Sequence, residues 1–381
     1  MRIAFLSNVV YPWVNGGAEK RIHEIGSRLA EDHAVTVYPR KFWDGPDEID
    51  HHGMTLRAVA PETDLYVEEG RRSITEAIDY AARLTPPLRR SIDDHDVLVA
   101  SVFPYFPVLA ASLARLRTDT PLVTTWHEVW GEYWDDYLGR LAIGGRVTEH
   151  VTARVPQHPI AVSGVTADRL AQLGSDRAIL PSGPDRADIA VVPNGIDVAQ
   201  VRETDPADDP ADVLYAGRLI ADKRVDRLID AFEQVASDAT LRIVGDGPKR
   251  DELERQARRS PASDRIEFTG FLDEYTDVLR EMRAAPIFAS PSTREGFGIT
   301  YVEAMAADCT VIGADHPESA AGEVIADAGF VPEPTTDALA DTLDRALSGE
   351  RPPTDPTARA AEYDWDAIAR MAERAYRDAI G

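Results

Sequence analysis

The chain predicts an α/β protein made of two doubly wound, parallel-sheet domains facing each other across a cleft. Three observations carry that expectation. Short apolar runs alternate with amphipathic stretches along all 381 residues. The alternation is complete once in each half. Between the halves lies a polar stretch, 193–212, reading PNGID and then ETDPADDPAD, whose Pro and Asp content suits a hinge. Residues 1–192 then form a first domain and 213–362 a second. The helix pattern at 363–381 follows the second sheet and either caps it or returns to the first domain.

In the first half IAFLS (3–7), AVTVY (34–38), DVLVAS (96–101), PLVTT (121–125), IAVS (160–163) and IAVV (189–192) read as strands. Most of these runs lack polar alternation, as strands covered on both faces do. Stretches 17–30, 105–117, 134–154 and 165–173 read as helices. The second half repeats the rhythm: strand 213–217, helix 223–236, strand 241–245, helix 248–259, strand 265–270, helix 274–283, strand 286–290, helix 300–307, strand 310–313. Ligands of such sheets bind beyond the C-terminal strand ends, so the loops 8–17, 217–223, 245–248 and 291–299 should carry the chemistry.

Composition excludes several classes. The net charge of −25 argues against a nucleic-acid partner, which needs a dense basic surface. One cysteine, Cys309, rules out a disulfide framework and a thiolate zinc site within the chain. No apolar run approaches the roughly 20 residues of a membrane span. The start, MRIAFLSN, is a buried-strand pattern without the basic head of a signal peptide, so a cytoplasmic protein is expected. Only 4 lysines stand against 37 arginines. Acid excess with scarce lysine points to a halophilic setting, a salt-rich cytoplasm in which screening removes self-repulsion.

Four loops hold candidate groups. Gly16 and Gly17 open a helix, where unpaired amides admit an anion; taken alone, such a pair is more often just a turn. Arg218 and Lys223 bracket another helix start, a fork and a mobile point charge suited to a diphosphate. Gly245 lies in the strand-to-helix turn IVGDGP. The stretch STREGFGITYVEAMAADC places Glu295 in a loop with Gly296, Phe297 and Gly298, and Glu303 about one turn into the following helix. Both oxygens of a carboxylate accept hydrogen bonds, which suits a vicinal diol. Either acid alone fits a helix-dipole partner or a surface acid; the whole constellation makes that reading improbable. The dinucleotide fingerprint is missing from both halves, which disfavours a nicotinamide dehydrogenase.

These motifs resemble the donor-site signature of the retaining nucleotide-sugar glycosyltransferases with two Rossmann-like domains, the GT-B fold, and within them the "group 1", family 4 branch. The Glu, seven residues and Glu pattern is in frame at Glu295 and Glu303; VVPNGID (191–197), the run 217–232, IVGDGP (243–248) and FTGFL (268–272) follow the same order. The resemblance implies a UDP-sugar or GDP-sugar donor, no cofactor and no metal, with Arg218 and Lys223 standing in for the latter. It implies that Glu295 holds sugar hydroxyls near the Gly296, Phe297 and Gly298 amides, and that Glu303 holds the ribose. Arg218 and Lys223, helped by Gly17, neutralise the diphosphate; Leu272 borders the base and His127 lies near the reacting carbon. It also implies that the last helix packs back on the first domain.

The implied reaction is hexosyl transfer with retention to a saccharide or lipid-linked acceptor, with peripheral membrane contact in the lipid-linked case. A sugar-nucleotide epimerase and a non-catalytic nucleotide-sugar-binding protein are the alternatives on the same fold. The aromatic stretch 126–137 fits acceptor stacking or core packing, and the arginine-flanked segment 71–90 fits a solvated helix. Asp308 replaces the usual helix-ending glycine and should adopt a left-handed conformation.

Overall fold

A computed structural model describes residues 1–65, 73–175 and 183–381. Arg71 and Arg72 of the segment 71–90 lie outside these. The chain forms two compact units, Met1–Pro193 with Trp365–Gly381, and Asn194–Asp364.

The first unit contains, in chain order, β1 (Arg2–Leu6), α1 (Gly17–Leu29), β2 (Ala34–Val37), β3 (Arg40–Lys41), β4 (Glu48–His51), β5 (Met54–Arg57), β6 (Ala60–Pro61), α2 (Ile74–Arg90), β7 (Val97–Ser101), α3 (Phe106–Ala114), β8 (Leu122–Trp126), α4 (Tyr133–Leu138), α5 (Ala142–Arg154), β9 (His158–Ala161), α6 (Gly164–Ser175) and β10 (Ala190–Val191). Among the described residues the main sheet runs β10-β9-β8-β7-β1-β2-β5-β4, with only β4 antiparallel. Alternate residues of β1 serve two cores. Ile3 and Phe5 pack with Ile22, Ile25, Trp365, Ile368 and Tyr376, while Ala4 and Leu6 pack with Tyr80, Leu84 and Val108. Each fully buried Leu or Ile side chain contributes about 1.5–3 kcal/mol, so a strand with two apolar faces is held from both sides.

Several features depart from the sequence reading. The strands β3 to β6 were not expected: β3, β4 and β6 carry no apolar pattern, and β5 shows only two apolar residues, Met54 and Leu56, in a short polar surround. The solvated helix expected at 71–90 instead buries one face of α2 through Ala77, Tyr80, Leu84 and Leu88. Glu76, on the same helix, is buried against Arg40 at 2.7 Å and accepts from Asn8 Nδ2 at 3.0 Å. The helix expected over 134–154 is interrupted at Gly139, which has φ +53°. Trp126 and Trp134 of the aromatic stretch are core residues. The buried Glu149 carboxylate organises that region, accepting from Tyr105 Oη (3.0 Å), Trp130 N (2.8 Å), Gly131 N (3.0 Å) and Trp134 Nε1 (3.1 Å).

The second unit contains α7 (Val198–Glu203), β11 (Val213–Ala216), α8 (Val225–Phe232), β12 (Leu241–Val244), α9 (Arg250–Arg259), β13 (Ile266–Gly270), α10 (Tyr275–Ala284), β14 (Ile287–Ala289), α11 (Ile299–Ala306), β15 (Thr310–Ile312), α12 (Ala321–Ile325), β16 (Gly329–Phe330), α13 (Thr336–Leu347) and α14 (Pro356–Ala361). The final helix, α15 (Trp365–Ile380), belongs to the first unit. The second sheet runs β13-β12-β11-β14-β15-β16, with every pairing parallel. Strand order reverses between β11 and β14, so the loops that follow these two strands converge at a topological switch point.

Of residues 193–212, read from composition as a hinge, Pro193 falls in the first unit and 194–212 are integrated into the second. Ile196 N donates to Tyr363 O (2.9 Å), Ala207 N to Arg280 O (3.0 Å), and Arg242 Nη1 to Asp209 O (2.6 Å). Polar composition hid these anchors because they are main-chain and ionic contacts, supplemented by a few scattered buried apolar side chains, Ile196, Val198 and Val201. Asp308 adopts φ +68° as expected, and Arg351 pairs with its carboxylate.

Candidate active site

The loops after β11 and β14 are joined to each other. Thr293 N donates to Asp222 O at 2.9 Å, and the Ser292 hydroxyl reaches the same carbonyl at 3.3 Å. Lys223 Nζ forms an ion pair with Glu295 Oε2, so two of the predicted residues meet. Arg218 is exposed and engages no carboxylate among the described residues. The ordered element under this loop is Tyr215, whose hydroxyl donates to Arg218 O at 3.0 Å. Burial, reinforced by the charge of Glu295, raises the Tyr215 phenol, so it stays a donor.

Glycine holds the surrounding loops at backbone contact. A Cβ on Gly245, at φ +132°, would lie 1.9 Å from Gly217 O, and one on Gly247 would lie 2.5 Å from Leu219 O. Gly298 adopts φ +86°, where a Cβ would meet Tyr301 at 2.4 Å and Glu295 Cγ at 3.0 Å. Phe297 is buried and packs edge-on against Tyr363, with ring centroids 5.4 Å apart. Glu295 is pinned through its main chain as well: its N–H donates to Glu318 O (3.1 Å) and its carbonyl accepts from Ala320 N (2.9 Å).

Glu303 sits in the second turn of α11 and is only 3% exposed. Its Oε1 accepts from the hydroxyl of Tyr275, the first residue of α10. Leu272, half-buried, lies in the loop leading to that helix, beside the exposed Phe271.

The other predicted residues belong to the first unit. Gly16 is the N-cap of α1, but a Cβ there would be 2.2 Å from the Glu19 carboxylate, so an acid of the chain already covers that approach. Gly17 has open space around it. His127 follows β8, with Nε2 3.5 Å from Ser101 Oγ. Burial, then the charge of Arg21, pushes its pKa down to about 3. Arg21 is buried on α1 and donates to Val192 O (2.9 Å) and to Pro193 O.

These histidines make a pH prediction. His23 is likewise pushed down to about 4, by burial first and then by His51 and His52. An unfolded histidine titrates near 6.5. Between that value and the folded one the unfolded chain binds more protons, so stability is complete above pH ~6.5 and is lost as pH falls toward 4. Melting temperature should drop from pH 7 to pH 4.5, and a His23→Asn, His127→Asn variant should show a shallower drop. An unchanged slope would contradict the assignment. His127 itself stays neutral through the range in which enzymes are usually assayed.

Sequence reasoning missed Tyr275, Tyr215, Arg294, Arg21 and Glu19. Arg294, whose guanidinium is buried 4.0 Å from Asp222, sits inside the STREGFG stretch and was within reach of the pattern. Tyr275 carried no signal, because its partner is 28 residues away.

Comparison with known proteins agrees with the geometry. Residues 199–363 match the family described as Glycosyl transferases group 1, and residues 15–200 match Glycosyltransferase Family 4. The chain is 26% identical over 407 aligned positions to glycogen synthase of Mycobacterium tuberculosis, covering 99% of this chain and 94% of that protein. It is 30% identical over 209 positions to phosphatidyl-myo-inositol mannosyltransferase of Mycolicibacterium smegmatis, covering 51% and 53%. The Anabaena HepE structure in complex with UDP and glucose superposes with a TM-score of 0.69 at 20% identity, covering 99% of this chain and all of that one. With two sheets of mainly parallel strands, two loops joined at the switch point and family matches that together run from residue 15 to 363, the chain belongs to the group 1, family 4 glycosyltransferases of the GT-B fold.

Proposed function

We propose that the protein transfers a hexose from a UDP-sugar or GDP-sugar to a hydroxyl of a saccharide or lipid-linked acceptor, with retention of configuration and without a metal. The observation that carries this is the Lys223–Glu295 pair at the switch point, with the exposed Arg218 in the same loop as Lys223. Each partner of that pair has a counterpart in a sugar diphosphate: the ammonium suits phosphate oxygens, and the carboxylate suits sugar hydroxyls. Binding exchanges one internal ion pair for two external contacts, so neither charge is left alone.

The breaking bond joins the anomeric carbon to a phosphate oxygen, and negative charge grows on that oxygen. Cations already placed there lower the barrier, because they need no reorganisation as the charge develops. The acceptor hydroxyl attacks on the face the diphosphate leaves, and the departing phosphate oxygen takes its proton. His127, neutral, is assigned a hydrogen bond near the reacting carbon, and Gly17 an amide contact to the diphosphate. Glu303 receives the ribose diol, and Leu272 borders the base.

The first unit is assigned the acceptor. It holds a recess of about 290 Å³ lined by Phe103, Tyr105, Trp134, Tyr137, Leu138 and Leu141, suited to the apolar part of an acceptor. Among the described residues no helix is long and apolar enough to cross a membrane, so contact with a lipid-linked acceptor is proposed as peripheral. Calorimetry with UDP, GDP and ADP tests the donor side. Wild type should bind one of them, and Glu303→Ala should lose about 1.5–3 kcal/mol of that affinity, the worth of hydrogen bonds to a charged group. Equal binding by both proteins would remove Glu303 from the site.

A further inference from the structure

Resting on the donor reading above, we propose that Tyr275 is a positioning residue: its phenol sets the Glu303 carboxylate for the vicinal diol of the ribose, so that discrimination of ribose from 2′-deoxyribose depends on Tyr275. Three observations support it. First, Glu303 is 3% exposed, and a carboxylate so placed requires hydrogen-bond donors to remain charged. Second, Tyr275 supplies one on Oε1 from a different helix, crossing from the start of α10 to the second turn of α11. Third, Tyr275 as a residue is 40% exposed although its hydroxyl is withdrawn against Glu303, so the ring lies at the surface beside the buried acid, where an incoming ligand would arrive.

The chemistry follows from the lone pairs. A carboxylate oxygen accepts two hydrogen bonds, so Oε1 can serve the phenol and one ribose hydroxyl together. A diol needs both carboxylate oxygens in one plane at one angle. Glu303 has three side-chain torsions, and a hydrogen bond from a second element selects among their staggered states. Burial, then the negative charges of Glu303 and Asp197, raises the phenol of Tyr275, so it donates throughout the working pH range. Without the hydroxyl, Glu303 loses one restraint on its rotamer, and the diol loses part of the alignment of its two acceptors. A 2′-deoxyribose, which never used both, loses little.

The test is calorimetry on wild type and Tyr275→Phe with the preferred nucleoside diphosphate and its 2′-deoxy counterpart. The variant removes one oxygen from a partly exposed ring, and a matching melting temperature confirms an intact fold. Wild type should prefer the ribose form. Tyr275→Phe should weaken the ribose form about tenfold, equivalent to ~1.4 kcal/mol, and shift the deoxy form by less than about twofold, so the preference collapses. A ribose-to-deoxyribose ratio equal to that of wild type overturns the positioning role while leaving the donor reading intact. Failure of wild type to bind any nucleoside diphosphate overturns both.

Discussion

Removing the two cations at the switch point should abolish most of the turnover. Arg218→Ala and Lys223→Ala are each expected to lower kcat by about 10²–10³, the range seen when one preorganised charge-stabilising group is lost. The double variant should retain only a trace of activity, with its melting temperature near that of wild type. The fold should tolerate both changes for different reasons. Arg218 is exposed and engages no carboxylate among the described residues, so nothing structural depends on its head group. Lys223 leaves behind Glu295, whose side chain is 16% exposed and can recruit water in place of the ammonium. Arg218→Lys should recover part of the rate, since it restores charge without the two-pronged donor. Initial rates at saturating donor and acceptor decide the matter. A double variant working at near-normal kcat would mean that the leaving group is stabilised by other residues.

Gly245→Ala is expected to be among the most destabilising methyl additions in the chain. The new Cβ would be 1.9 Å from the carbonyl oxygen of Gly217, and the residue sits at φ +132°. Neither backbone can retreat cheaply: Gly217 N donates to Val244 O (3.0 Å), and Gly245 N donates to Gly270 O (2.8 Å). Strain at such a φ costs about 1–3 kcal/mol and overpacking a similar amount, so a loss of about 3 kcal/mol or more is expected. For a unit of this size that is a fall of roughly 6–12 °C in melting temperature. Turnover should fall in parallel, because the displaced loop carries Arg218. Gly17→Ala is the matched control: nothing lies within 4 Å of its Cβ, and its melting temperature should hold or rise. If the two alanine variants melt alike, the contact between the 217 and 245 loops is not the reason for glycine.

The strands that build both sheets were legible because burial on two faces leaves an unbroken apolar run. The short edge strands were not, since Glu48–His51 spends its residues on solvent and its pairing with β5 is a main-chain property. α2 was misjudged because its arginines are visible in sequence and its buried ion pair with Arg40 is not; Arg40 and Glu76 are 36 residues apart. The two acids of the candidate site were legible for a different reason. Glu295, Gly298 and Glu303 lie within one strand-to-helix connection, so their chemistry is written in consecutive residues.

By itself, then, the amino-acid order determined two parallel α/β units and the short segments that carry charge. Apolar periodicity and local turn chemistry act over a few residues and need no partner to be read. Only the tertiary structure decided which of those segments meet. Strand order brings the loops after β11 and β14 together and pairs Lys223 with Glu295. Helix packing closes Tyr275 over Glu303, and within the start of α1 the Glu19 side chain lies across Gly16. Each of the first two pairings joins different secondary elements through sheet order and packing, which no local pattern encodes. Even the short one depends on a side-chain rotamer rather than on spacing.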